Sequence, residues 1–157
     1  MEITIYRASL ADLQELMRWR MTVLREVFHV PSGDPMTALE QENRAYYQTT
    51  LPVEEHIACF ARIGAENVGC GGVCFYREMP SPDNPEGKCA YLMNIYTRPD
   101  ERGRGVGRKI VAWLVRQAEE RGITKIYLET SGSGRKLYQE MGFIDMEGYM
   151  KREPILL

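Results

Sequence analysis

The stretch Leu92–Val111, LMNIYTRPDERGRGVGRKIV, decides how the rest of the chain reads. It starts as a nearly continuous apolar run, passes Gly103, Gly105 and Gly107 at alternate positions among arginines, and then enters helical spacing. From Val106, the apolar residues Ile110, Leu114 and Ala118 recur every fourth position, Val111 and Val115 widen the stripe, and Gly122 supplies a stop. A flexible tether would not be followed at once by a helix. The spacing predicts a rigid turn at a helix N-terminus, where free N–H groups and the helix dipole favour an anion.

Two well-known phosphate loops fail at the same residue. A Walker A loop needs a glycine five positions after Gly103, and a dinucleotide fingerprint needs one three positions after Gly105; Arg108 stands there in both cases. What remains is Arg102-x-x-Gly105-x-Gly107 between a buried strand and a helix. Between Arg98 and Lys109 there are five basic and two acidic residues, against a net charge of −2 for the whole chain. That local excess suits a small polyanion. The acidic balance, with a pI near 5.8, argues against a general nucleic-acid binder.

Working outward, ITIYRA alternates and predicts a first strand, after which Ser9 is placed to cap a helix through Leu13, Leu16, Met17, Val23, Leu24 and Val27. PSGDP breaks the chain, and Thr37 with Glu40 forms a capping-box pattern for a second helix to about Gln48. HIACFARI and NVGCGGVCFY flank Gly64-Ala65-Glu66 as a hairpin, and three prolines with Gly87 mark the loop before CAYLMNIYT. TKIYLETS predicts a strand, GSGRKLYQEMG a loop and short helix, and FIDMEGYMKR a last strand. The order is β-α-α-β-β-β-α-β-α-β. A strand, helix and strand around the glycines imply a right-handed parallel crossover, and the hairpins imply antiparallel pairing elsewhere, so the fold class is α/β with a mixed sheet.

At 157 residues and 44% hydrophobic, the chain fits one domain, residues 1–157. It contains no apolar run of membrane-spanning length, and MEITIYRASLADLQ lacks the apolar core of a secretory signal, so a cytoplasmic protein is expected. Cys59, Cys70, Cys74 and Cys89 form no C-x-x-C pair and fall in strand-like stretches; reduced thiols and no metal are expected.

Arg102-x-x-Gly105-x-Gly107 in this setting resembles motif A of the GCN5-related N-acetyltransferases (GNAT), and LYQEMGF, Leu137–Phe143, is similar to the family's second signature. The resemblance covers nearly the C-terminal half, and the two helices after strand one agree with it. It implies a mostly antiparallel mixed sheet flanked by about four helices, and acetyl-coenzyme A as cosubstrate. The backbone of Ile95, Tyr96 and Thr97 would pair with the pantetheine arm, and Arg102, Gly103, Arg104, Gly105, Val106, Gly107 and Arg108 would cradle the pyrophosphate. It also implies a bulge in strand four that splays it from strand five. Tyr138 corresponds to the tyrosine that protonates the departing thiolate in many members; alone it would read as a packed aromatic. Two positions depart from the family. Ser131 stands where many relatives have an asparagine that helps hold the cofactor, so its shorter hydroxyl would bond the cofactor instead; Gly134 stands where alanine is frequent, and Met93 and Asn94 stand where an acidic residue is common.

An amine must be neutral to attack a thioester, so its proton needs an acceptor. Glu129 and Glu26 are the candidates, with water as the other route, although a solvated or salt-bridged surface carboxylate is the commoner reading of each. His56 and His29 read as structural. The acceptor would meet the first two helices and the proline loop Met79–Gly87, with Trp19, Arg20, Arg25, Tyr46 and Tyr47 lining a pocket, or with Trp19 and Tyr46 as core aromatics instead. The reading is therefore direct transfer from acetyl-CoA to a primary amine of a small molecule or protein. A non-catalytic CoA sensor on the same fold and an RNA-binding Arg-Gly module are its rivals. Homodimers are common in the family, and the chain specifies no interface.

Overall fold

The computed structural model describes residues 1–155; the last two residues of the domain expected over 1–157 lie outside them. β1 (Ile3–Arg7) leads through a short 3-10 turn into α1 (Leu13–Val27) and α2 (Thr37–Thr50), followed by β2 (His56–Ile63), β3 (Glu66–Arg77) and β4 (Lys88–Thr97). α3 (Val106–Glu119), β5 (Lys125–Leu128) and α4 (Arg135–Glu140) complete the described elements. The sheet order is β1-β2-β3-β4-β5, with β1 to β4 antiparallel and β4 to β5 parallel across α3. The mixed sheet and the crossover at the glycine loop are as the sequence implied.

Period-two alternation divides β2 between two cores. Ile57, Cys59 and Ala61 pack on the α3 side with Val106, Ile110 and Leu114. Ala58 and Phe60 pack on the opposite face under α1, with Leu16, Met17, Trp19 and Val23. α3 lies close on the sheet because β3 carries glycine beneath it: a Cβ on Gly71 would stand 2.5 Å from Ile110 Cγ2. Glu15 ties α1 to β3, accepting from Trp19 Nε1 at 2.9 Å, Asn67 Nδ2 at 3.2 Å and the Arg18 guanidinium.

β4 changes phase midway. Ala90 and Leu92 face the α3 core, as alternation requires, yet Ile95 also joins that core and Tyr96 the opposite one. The extra residue is a bulge: Cys70 pairs with Tyr96 but Gly72 pairs with Met93, and Asn94 takes a left-handed φ of 57°. β5 accompanies β4 only from Cys89 to Leu92, so Met93 to Thr97 have no strand beside them on that side. The bulge implied by the family resemblance is present, and the pairing of β4 with β5 stops just before it.

Three local expectations differ. Ser9 caps the 3-10 turn Leu10–Asp12 rather than α1 directly, accepting from Ala11 N while Asp12 accepts from Ser9 N at 2.8 Å. Thr37 is the first helical residue of α2, not its cap; Met36 holds the cap position at φ 50°, its N–H donating to Asp34 Oδ1 at 2.8 Å, and Glu40 pairs with Arg44 instead of reaching back. FIDMEGYMKR forms no strand. Gly148 sits at φ 89°, which breaks the extended run, and Ile144 and Met150 project into solvent, so β5 is an edge strand among the described residues.

Candidate functional site

After β4, Pro99–Glu101 form a 3-10 turn and the glycines follow. Gly103 and Gly105 adopt φ 80° and 83°, a region that L side chains rarely enter, and a Cβ on either would point into open space. The N–H groups of Gly103, Arg104 and Gly105 find no acceptor among the described residues. Val106, Gly107 and Arg108 open α3, so their N–H groups lack partners in the preceding turn. The result is a row of free donors, exposed from Gly103 to Gly105, at the positive end of a helix, an arrangement that favours an anion.

The arginines have separate tasks. Arg102 donates from Nε to Thr97 O at 2.9 Å and from Nη2 to Glu26 Oε1 at 3.0 Å, fastening the loop to β4 and α1. Arg104 pairs with Glu101 at 3.0 Å, and Arg108 pairs with Glu140 of α4. Arg98 is held by Glu66 and Asp100, away from the donor row.

Glu26 accepts from both the Tyr96 hydroxyl and Arg102, and these bonds hold its carboxyl below the usual carboxylate range. A carboxylate so stabilised is a poorer proton acceptor, which weakens it as the base and makes it a brace for the loop. Glu129 lies just past β5, exposed, beside Tyr91. Tyr138 projects from α4 with its ring edge-on to Phe143 at 5.8 Å, and its hydroxyl has no partner among the described residues. Burial pushes its phenol up, keeping it protonated at neutral pH. Gly134 is where that ring needs space, since a Cβ there would meet Tyr138 Cε2 at 3.0 Å and Thr130 Oγ1 at 2.7 Å. Ser131 is exposed before α4, its hydroxyl 3.1 Å from that of Ser133.

A cavity of about 740 Å³ runs along the outer side of β5 toward α4. Tyr138 and Glu129 line it, and no residue of β4 or the glycine loop does. The structure thus brings Ile95, Tyr96 and Thr97 next to Arg102–Arg108, with Leu137 of α4 reaching within 3.4 Å of where a Gly107 Cβ would stand.

On the α1 side of the bulge, Arg20 donates from Nη1 to Asn94 Oδ1 at 3.0 Å and from Nε to Asn43 Oδ1 at 2.9 Å. Asn94 O accepts from the Cys70 thiol at 3.3 Å, and burial pushes that thiol up to about 12. Trp19 and Tyr47 are core residues, and Tyr46 is partly exposed with its hydroxyl 2.9 Å from His56 Nδ1. Arg25 caps the α1–α2 connection through Pro31 O and Asp34 O. Asn43 carried no signal in the sequence, because its role depends on α2 crossing α1.

Residues 13–143 match the sequence model of the Acetyltransferase (GNAT) family. Among curated proteins, the chain is 27% identical over 89 residues to thialysine N-epsilon-acetyltransferase of Sus scrofa, covering 43% of this chain and 52% of that protein. It is 37% identical over 57 residues to the [ribosomal protein bS18]-alanine N-acetyltransferase of Salmonella typhimurium, covering 34% of this chain and 38% of that protein. The aligned part spans about half or less of these curated relatives. A crystal structure of a predicted acetyltransferase with acetyl-CoA from Clostridium acetobutylicum superposes with a TM-score of 0.86 at 24% identity, covering 97% of this chain and 96% of that one. That likeness extends to the whole fold.

Proposed function

Because the chain belongs to the acetyltransferase (GNAT) family, we propose that it moves an acetyl group from acetyl-CoA to an amine by direct transfer. The observation that carries this reading is the row of unpartnered N–H donors from Gly103 to Arg108, set beside a stretch of β4 that pairs with β3 on one side and has no strand on the other. Acetyl-CoA would supply an activated thioester. Gly103, Arg104, Gly105, Val106, Gly107 and Arg108 would hold its pyrophosphate, and the free edge at Ile95, Tyr96 and Thr97 would take the pantetheine arm in the manner of an added strand.

Tyr138 would donate its proton to the leaving thiolate, a role suited to a phenol that burial keeps protonated. A covalent acyl-enzyme has little support, since burial raises all four thiols and disfavours the nucleophilic thiolate. For the amine's proton, Glu129 or water fits better than Glu26, which is engaged by Tyr96 and Arg102.

Two measurements test the reading. Acetyl-CoA at about 100 times its Kd should stabilise the fold by about 2.7 kcal/mol, read as a rise in Tm. Thiol release from acetyl-CoA should depend on an added amine. Absence of any stabilisation at millimolar ligand sinks the proposal. Stabilisation without thiol release over a broad amine panel replaces it with a non-catalytic CoA sensor.

A further inference from the structure

Arg20 is the unexplained charge at this site. It is half-buried between α1, α2 and the β4 bulge, and its recorded partners are two neutral amides, Asn43 and Asn94. Three carboxylates of the two helices are committed elsewhere, Glu15 to Arg18, Glu26 to Arg102 and Glu40 to Arg44, and Glu55, which like Arg20 acts on Tyr46, is exposed and makes no ion pair with Arg20. Glu42, the remaining acidic residue of the two helices, is exposed. A guanidinium has five N–H donors, and two of these are used, so three, including both on Nη2, are left without an acceptor among the described residues. Half-buried, Arg20 offers those three donors to water or to an arriving anion, and an anion would also supply the missing counter-charge.

The two amides accept from Arg20 and so fix the plane of its guanidinium without neutralising it. Asn94 is the residue that absorbs the bulge in β4, and the open edge of β4 runs on from it through Ile95. Arg20 therefore stands at the near end of this edge, on the opposite face of the sheet from α3.

We propose that Arg20 binds a carboxylate on the acceptor, so that the acceptor is a compact amino acid whose amine and carboxylate are separated by only a few bonds. This rests on the acetyltransferase reading above. A planar two-oxygen anion matches the geometry of adjacent guanidinium N–H groups, and Arg20 held by Asn43 and Asn94 is oriented before the ligand arrives. The short reach follows from position: a group bound to Arg20 beside Asn94 needs little length for its amine to reach the open edge of β4. A long polyamine would place a cation against Arg20 and be repelled.

The test pairs each of the common amino acids with its carboxamide and includes aminoalkyl phosphates, measuring acetylation by wild type, Arg20→Gln and Arg20→Lys. Wild type should prefer carboxylates to carboxamides by at least tenfold in kcat/KM for one or more side chains. Arg20→Gln should remove that preference chiefly through KM, with the acetyl-CoA-induced Tm rise intact, and Arg20→Lys should restore part of it. Equal use of carboxamides by wild type overturns the proposal, as does an equal loss for both series in Arg20→Gln. A preference for phosphates over carboxylates also overturns it. In parallel, the Tm of the CoA-bound protein is followed with the same amino acids. If no amine is acetylated yet amino acids raise Tm through Arg20, the transferase reading fails and the anion site stands. If neither acetylation nor Tm responds to the carboxylate, the anion site fails.

Discussion

His56 is 3% exposed beneath α2, its Nδ1 2.9 Å from the Tyr46 hydroxyl and its ring edge-on to Tyr46 and Tyr47. Burial, helped by the charge on Arg20, pushes its pKa down from 6.5 to about 4. Between those values the unfolded chain takes up a proton that the native state refuses. Stability is therefore full above about pH 6.5 and falls as the pH drops toward 4, by up to roughly 3 kcal/mol. Urea midpoints measured from pH 7.5 to 4.5 should show this decline, and His56→Gln should flatten it. At Gly105, where φ is 83°, Gly105→Val places a branched side chain in a conformation it resists and in the space the donors face. The expected result is a KM for acetyl-CoA raised at least tenfold, with a stability loss of about 1–2 kcal/mol; unchanged KM removes the cradle assignment. Tyr138→Phe should lower kcat about a hundredfold while leaving acetyl-CoA binding nearly unchanged. A fall in binding alone would make Tyr138 a packing residue.

At the scale of elements, the position of the glycine loop depends on how closely α3 seats on β3. Gly71 allows the contact, and both Ile110 and Leu114 beneath a new Cβ are fully buried with no room to yield. Gly71→Ala should cost about 1–3 kcal/mol and also weaken acetyl-CoA binding, because lifting α3 moves the donors at its N-terminus. Denaturation and ligand titration of the same variant check both effects. β4 and the loop are tied to α1 by Glu26, which bonds Tyr96 and Arg102. That link was not legible in the sequence, since Glu26 lies about 70 residues from Tyr96 and Arg102 and the motif that contains Arg102 says nothing of a partner on the first helix. By contrast, α3 was legible along its length, because its four-residue apolar spacing and following Gly122 are local properties. The final strand was misread for the complementary reason: FIDMEGYMKR has strand-like composition, but Gly148 at φ 89° interrupts it and no ladder forms on β5.

For the whole molecule, the net charge of −2 opposes an anionic ligand, and the excess of positive charge sits at one loop. Attraction to the pyrophosphate is then short-ranged and screened, so KM for acetyl-CoA should rise several-fold between about 0.05 and 0.5 M salt, while Tm without ligand changes little. A salt-independent KM would argue that the N–H row, and not the arginines, carries the affinity. The tight turn through Gly103 and Gly105 and the helix start at Val106 were legible in sequence alone because both are built from local backbone conformation. The mixed sheet followed from strand and helix periodicity in the same way. Tertiary structure decided the rest. The phase change at Asn94 arises from pairing with β3, the commitment of Glu26 from the approach of α1, and the isolated charge on Arg20 from the crossing of two helices over a bulged strand. Each depends on partners distant in the chain, whose meeting is set by packing rather than by spacing.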